Sequence, residues 1–304
     1  MSDAAQKWAI VTPTYHLDYQ QFKLMCESMD HFVEGNWHHY VVVTKADYQM
    51  FAPFNGPRRT VVENSKILPP WLRYMGKLGR VRSGSFWFSW RTGPIFGWHI
   101  QQIVKLSMAS FVKEDIMLLV DSDLFFVRPF KLGKIIKNGI IPLWRNPEEY
   151  QTRKATPPPY IDHAKKILGI DLNTPSHDHA NNIVVWDRQT AIDLCDYIEK
   201  RHKKHWITAL SGFQAISEGS FYGLYVEHIS PEKSRFTNVT YNFTKTTGGD
   251  IAMNETDFEK FVGNLNDDNV AFGFQSSARY DNTKLRNVYN KFLTTKNQKK
   301  SKFS

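Results

Sequence analysis

Two carboxylates one residue apart, Asp121 and Asp123, follow an unbroken apolar run, Ile116-Met117-Leu118-Leu119-Val120, and precede another, Leu124-Phe125-Phe126-Val127. Residues i and i+2 of an extended segment point the same way, so both acids can turn toward one cation or one diphosphate. Adjacent carboxylates repel unless positive charge lies between them, and a hard, oxygen-seeking ion such as Mn²⁺ or Mg²⁺ suits them. Composition alone would produce roughly one Asp-x-Asp in such a chain, so the weight rests on its placement. A five-residue run this apolar reads as a strand buried on both faces, and open α/β sheets bind ligands beyond the carboxyl ends of their strands. The alternative reading is a turn in which Asp and Ser side chains cap backbone groups.

Delivering the pair to a sheet edge requires strands and crossover helices around it. Residues 8–12 form a first strand, ended by Pro13, with Thr14, Tyr15 and His16 in the loop at its carboxyl end. Phe22, Cys26, Met29 and Val33 recur at helical spacing, and 39–44 form a second strand. Strand, helix, strand over so short a length is a βαβ unit, which implies parallel strands and a right-handed crossover. A second helical stripe (Ile100, Ile103, Val104, Ser107, Met108, Phe111) leads into the Asp-Ser-Asp strand, bringing the carboxylates to the same edge as residues 12–15.

Elsewhere the pattern is looser. Residues 52–96, rich in Pro, Gly, Arg and Trp, read as irregular connections around a short strand at 60–63 with a loop near 76–84. A short helix is expected at 132–137, with a stiff turn at 157–159. The second half suggests strands at 183–186, 222–226 and 270–274. It also suggests a helix burying Ile192, Cys195 and Ile198, and a closing helix through Leu285, Val288, Tyr289 and Phe292. No linker interrupts this order, so the expected fold is α/β: a mixed, mostly parallel sheet flanked by helices in a single continuous domain over 1–295, with a basic tail at 296–304.

At 304 residues, 41% hydrophobic and 23% charged, the chain has an ordinary globular composition. No stretch approaches the roughly 20 apolar residues of a membrane span, and the first residues lack a signal-peptide core, so a cytoplasmic protein is expected. Cys26 and Cys195 read as small core residues. The sequons at Asn238, Asn242 and Asn254 then have no glycosylation to serve. The net charge of +9, with clusters at 200–205 and 296–302, suits a nucleoside diphosphate, an acidic glycan or an anionic membrane at the inner face of the cell, or else a solvated surface. No nucleic-acid motif accompanies the basic residues, so a nucleic-acid partner is not expected.

The segments IVTPTYHLDYQQF, GWHIQQIVKLSMASF and IMLLVDSDLFFVRPF together resemble a nucleotide-sugar glycosyltransferase of the GT-A fold, and more narrowly a bacterial family of the DUF6492 type. NNIVVWDR, ISEGSFYGLYV and FGFQSSARY extend the resemblance over most of residues 8–280, with one departure: Gly219 stands where the pattern places an aromatic residue. The resemblance implies a Rossmann-like GT-A sheet with a nucleotide-sugar half at about 7–130 and an acceptor half at about 131–295. Thr12, Pro13 and Tyr15 would line base and ribose. Asp123 would ligate Mn²⁺ or Mg²⁺ directly, Asp121 would bind the ribose or reach the metal through water, and Ser122 lies between them. Gln102 and Lys105 would reach the phosphates, or else sit as solvated polar positions. A third metal ligand would come from later in the chain, with His228 preferred to His177 and His179. Glu218 would take the acceptor hydroxyl's proton, and Asp178 and Asn182 would hold sugar hydroxyls.

The resulting expectation is a metal-dependent glycosyltransferase moving a sugar from a nucleotide diphosphate sugar, UDP-linked by preference, to a hydroxyl of a surface glycan or lipid-linked acceptor. Two other readings stand beside it. One is a haloacid-dehalogenase-type phosphotransferase with Asp121 as nucleophile; that family, however, wants Thr or Val where Phe125 stands. The other is a sugar-nucleotide- or glycan-binding protein without turnover, which leaves the paired carboxylates without a task.

Overall fold

The computed structural model describes residues 6–77, 85–147, 159–213, 215–247, 260–261, 263–274, 283, 286–287 and 289–290. The sequence expectations for 78–84, Pro157, Pro158, Leu285, Val288, Phe292 and the tail at 296–304 lie outside the described residues. The chain forms two compact units, each built from several stretches.

The first unit comprises Met1–Pro13, Asn36–Val120 and Gly133–Thr240. Its centre is a Rossmann-like sheet. β1 (Trp8–Pro13), β3 (Trp37–Val43), β4 (Arg59–Glu63) and β8 (Ile116–Val120) run parallel, and β12 (Ile183–Asp187) lies antiparallel to β8. The strand order is β12-β8-β1-β3-β4. Both β1 and β8 are buried along their whole length, as continuous apolar runs in a covered parallel sheet should be. From β1 the chain builds outward on one side through β3 and β4, then returns to the other side as β8. The carboxyl ends of β1 and β8 are therefore neighbours at a topological switch point, where such sheets bind ligands. From both ends, after Pro13 and after Val120, the chain passes directly into the second unit.

Helices cover this sheet. α3 (Gly97–Phe111) packs on β1, α5 (Arg188–His202) and α7 (Glu218–His228), while α4 (Pro159–Leu168) packs on α7 and α6 (Trp206–Leu210) on α5. Asp187 caps α5 by accepting from the Thr190 backbone N–H at 2.9 Å. α2 (Tyr48–Phe51) sits beside β4. β11 (Ile141–Trp144) and β13 (Phe236–Val239) pair in parallel, and β5 (Arg73–Lys77), β6 (Ser85–Ser89) and β7 (Gly93–Phe96) form an antiparallel sheet within the stretch expected to be irregular.

Residues 222–226 are helical, not the expected strand. From Glu218 to Val226 every residue of α7 is buried, so no polar face marks the 3.6-residue period that identifies a helix. Tyr222 stacks on Trp186 with ring centroids 4.4 Å apart. The structure also explains Gly219. A Cβ there would lie 2.5 Å from the His179 carbonyl oxygen and 3.0 Å from the Ala180 Cα, and a Cβ at Gly223 would overlap the His179 ring. The chain at 179–180 crosses α7 over these two glycines, so no aromatic side chain fits at 219.

The second unit comprises Thr14–Gly35, Asp121–Leu132 and Tyr241–Ser304. α1 (Tyr19–Phe32), read from sequence as the crossover packed on the main sheet, here packs on β9 (Leu124–Phe126). β9 pairs antiparallel with β15 (Ala271–Phe274), and β14 (Thr244–Thr247) joins β15 in parallel. β2 (Val33–Glu34) pairs with β10 (Phe130–Lys131). The helix expected at 132–137 is a single 3₁₀ turn at Leu132–Lys134 in the structure. Phe125, Phe126, Phe272 and Tyr289 fill the interior, with the Tyr289 hydroxyl donating to the Phe126 carbonyl at 2.7 Å. Ser28 accepts from the Phe126 N–H at 3.0 Å, fixing α1 to the strand that follows Asp123.

Helix propensity alone would make Gly219→Ala a gain of at most about 1 kcal/mol. The backbone crossing reverses that sign: Gly219→Ala is expected to destabilise by about 1–3 kcal/mol, read as a lower urea midpoint.

Candidate functional site

At the exit of β8 the second unit gathers four polar side chains with Ser122. Asp121 and Asp123 are half-buried, Ser122 and Asp18 are buried, and Tyr15 is half-buried. The Ser122 hydroxyl donates to an Asp18 carboxylate oxygen at 3.0 Å, holding the Asp-Ser-Asp turn against the start of α1. Burial pushes the Asp18 carboxyl up to about 6; Asp121 adds to the rise, and the Ser122 hydrogen bond and His16 oppose it. Burial, then Asp18 and Asp123, raise the Tyr15 phenol as well. Burial is the larger cause of both shifts, and the neighbouring acids add to it. Sequence reasoning found Asp121, Ser122, Asp123 and Tyr15 here but missed Asp18; its signal was another acid in the loop beyond the first strand, after His16 and Leu17.

The remaining expected residues lie in the first unit. Thr12 and Pro13 end β1, both buried, and the Thr12 hydroxyl has no hydrogen-bond partner among the described residues. Lys105 of α3 and Glu218 of α7, assigned separately to phosphate and acceptor, meet in a buried ion pair at 2.8 Å. Gln102, one turn earlier, accepts from the Glu218 backbone N–H at 3.3 Å and donates to the Trp98 carbonyl at 3.4 Å. Neither Lys105 nor Gln102 is a solvated polar position. Asp178 is buried, accepting from the Tyr160 hydroxyl at 2.8 Å and from the Ala180 N–H at 2.9 Å; it shapes the lead-in to β12, where Asn182 is half-buried.

Of the three histidines weighed as a third metal ligand, His179 and His228 flank Glu227 and His177 lines the same cavity, all in the first unit, whereas Asp121 and Asp123 belong to the second. His179 Nε2 lies 3.3 Å and His228 Nε2 4.0 Å from one Glu227 oxygen, and Arg145 lies 3.5 Å from the other. His177, Glu227 and His228 line an open cavity of about 410 Å³ together with Arg145, Lys233 and Asn238. Burial raises the Glu227 carboxyl, but hydrogen bonding and charge from His179, with His228 and Arg145, hold it below the usual value. Burial lowers His228.

The model of a family of unknown function (DUF6492) matches residues 9–277. The chain belongs to that family. Its match runs from β1 to β15 and so takes in the carboxylates, the Lys105–Glu218 pair and the Glu227 cavity alike. No curated protein matches the chain. Chemically, the carboxylates of this DUF6492 chain, all oxygen donors, suit a hard divalent cation, and the raised Asp18 is the observation of fit. The rise comes chiefly from burial, with Asp121 adding to it, and a buried carboxyl beside another acid gains from a positive ion.

Two outcomes follow. The unfolded Asp18 carboxyl ionises near 3.8 and the folded one near 6, so the folded state keeps a proton the unfolded state has lost. Stability is therefore expected to fall as pH rises from about 4 to about 6, by up to ~3 kcal/mol, and Asp18→Asn should flatten that part of the stability–pH curve. Lys105→Met alone should destabilise by about 3–5 kcal/mol by stranding Glu218, and Lys105→Met/Glu218→Gln should recover much of the loss in urea unfolding.

Proposed function

We propose that this chain is a metal-dependent glycosyltransferase, taking a sugar from a nucleoside diphosphate sugar, UDP-linked by preference, to a hydroxyl of a glycan or lipid-linked acceptor. The observation that carries this reading is that Asp121 and Asp123 follow directly on β8, whose carboxyl end neighbours that of β1, with Asp18 hydrogen-bonded to the Ser122 between them. The GT-A resemblance of the flanking segments supports it.

In this reading Asp123 holds the Mn²⁺ or Mg²⁺, and Asp121 holds the same ion through water or binds the ribose. The cation, when bound, neutralises charge growing on the departing diphosphate, where preorganised electrostatics act most strongly. Ser122 and Asp18 work indirectly: their hydrogen bond holds the turn that carries the flanking carboxylates. Tyr15, kept protonated by burial and by its acidic neighbours, offers an apolar ring to the base or ribose and a hydroxyl donor at its edge. Glu218 acts through Lys105, since its carboxylate is committed to that partner, and so positions α7 against α3.

Thermal unfolding tests the proposal. UDP with Mn²⁺ at about 100 times Kd should raise Tm by ~5 °C, and UDP with a chelator should not. Asp123→Ala should abolish the shift while keeping the unliganded Tm, because the side chain lies at a strand exit and not in the core. An unchanged shift in that variant would remove the metal assignment, and capture of a phosphate mimic on Asp121 would favour the phosphotransferase.

A further inference from the structure

The antiparallel sheet β5–β6–β7 turns an apolar face outward. Along β6 and β7 burial alternates: Trp87 and Ile95, register partners, are buried, while Phe86, Phe88 and Phe96 on the other face are more exposed. Phe86 pairs with Phe96, and Phe88 with Pro94, so these groups share that face, and Arg73, the partner of Phe88 on β5, joins them. A half-covered sheet normally shows polar side chains to water. At the β6–β7 turn Trp90 is 96% exposed, with its ring 5.4 Å from Phe88. Phe96, Trp98 and Met75 are 40%, 49% and 53% exposed.

The sequence that carries these strands has charge of one sign, with Lys105 neutralised by Glu218. Between Glu63 and Glu114 the chain carries no Asp or Glu, where 30 acids in 304 residues would place about five, and it carries eight Lys and Arg. Exposed aromatics set among cations, without anions, are what an anionic lipid interface binds: rings enter the headgroup region while Lys and Arg meet its negative surface. Phe, Pro and Met add no hydrogen-bonding groups by which a sugar or a base would be read, so an apolar interface is the better match, and the polysaccharide arm of the test below checks it. A second copy would bring its own cations against these.

We infer that the outer face of β5–β7, with Trp90 at its tip, docks this protein on an anionic membrane surface. The inference stands apart from the transferase reading, because its test involves no turnover. The full chain is expected to co-sediment with phosphatidylcholine vesicles containing phosphatidylglycerol but not with pure phosphatidylcholine, and to dissociate as salt rises. Trp90→Ala/Phe96→Ala should weaken binding about tenfold or more, and Arg73→Glu should weaken it about fivefold or more, with Tm unchanged in both. Failure of the wild type to bind the anionic vesicles, or binding unchanged in Trp90→Ala/Phe96→Ala, would overturn the assignment. So would stronger capture by a soluble acidic polysaccharide, or a dimer lost in the same variants.

Discussion

The hydrogen bond from Ser122 to Asp18 is the contact on which the candidate site depends. It joins the turn after β8 to the start of α1, and it does so by burying a carboxylate near Asp121. Gathering like charges in a partly dry volume is unfavourable, and the raised Asp18 is the sign of that strain. A fold that tolerates such an arrangement keeps it in place by other means. Here the means are the aromatic interior of the second unit and the Ser28 and Tyr289 hydrogen bonds to Phe126, which fix the strand following Asp123.

The first unit shows the opposite treatment of buried charge. Lys105 and Glu218 neutralise each other at 2.8 Å, and Arg235 pairs with Asp187 at 2.9 Å. Asp187 is in turn committed to capping α5. These charges are compensated and read as architecture. The two treatments stand side by side in one chain, and the proposed function rests on the second.

What was legible in the sequence follows from how many faces an element buries. β1 and β8, covered on both sides, are plain apolar runs, and their boundaries and the acids beyond β8 could be read directly. α7 is just as enclosed, but a helix buried all round loses its periodic signature and looks like a strand. β5–β7 escaped notice for the reverse reason: aromatic residues on the outward face hide the alternation that normally marks a sheet. Asp18 sits past a turn that no local pattern ties to Asp121, and the Lys105–Glu218 pair spans more than a hundred residues. Contacts of that kind arise from tertiary packing and leave no mark in spacing.

Gly219 shows how an absent side chain can carry structural information. Its missing side chain lets the chain at 179–180 lie directly on α7, which in turn positions His179 against Glu227. The central claim, that the group of carboxylates beyond β8 takes up a divalent cation together with a nucleoside diphosphate, is tested most directly by titration calorimetry of Mn²⁺ and UDP near pH 6 in buffers of different ionisation enthalpy. Cation uptake should expel the proton that Asp18 holds, so about half a proton should be released per ion bound, and none in Asp18→Asn. Absence of Mn²⁺-linked UDP binding, or binding with the same proton release in Asp18→Asn as in the wild type, would contradict it.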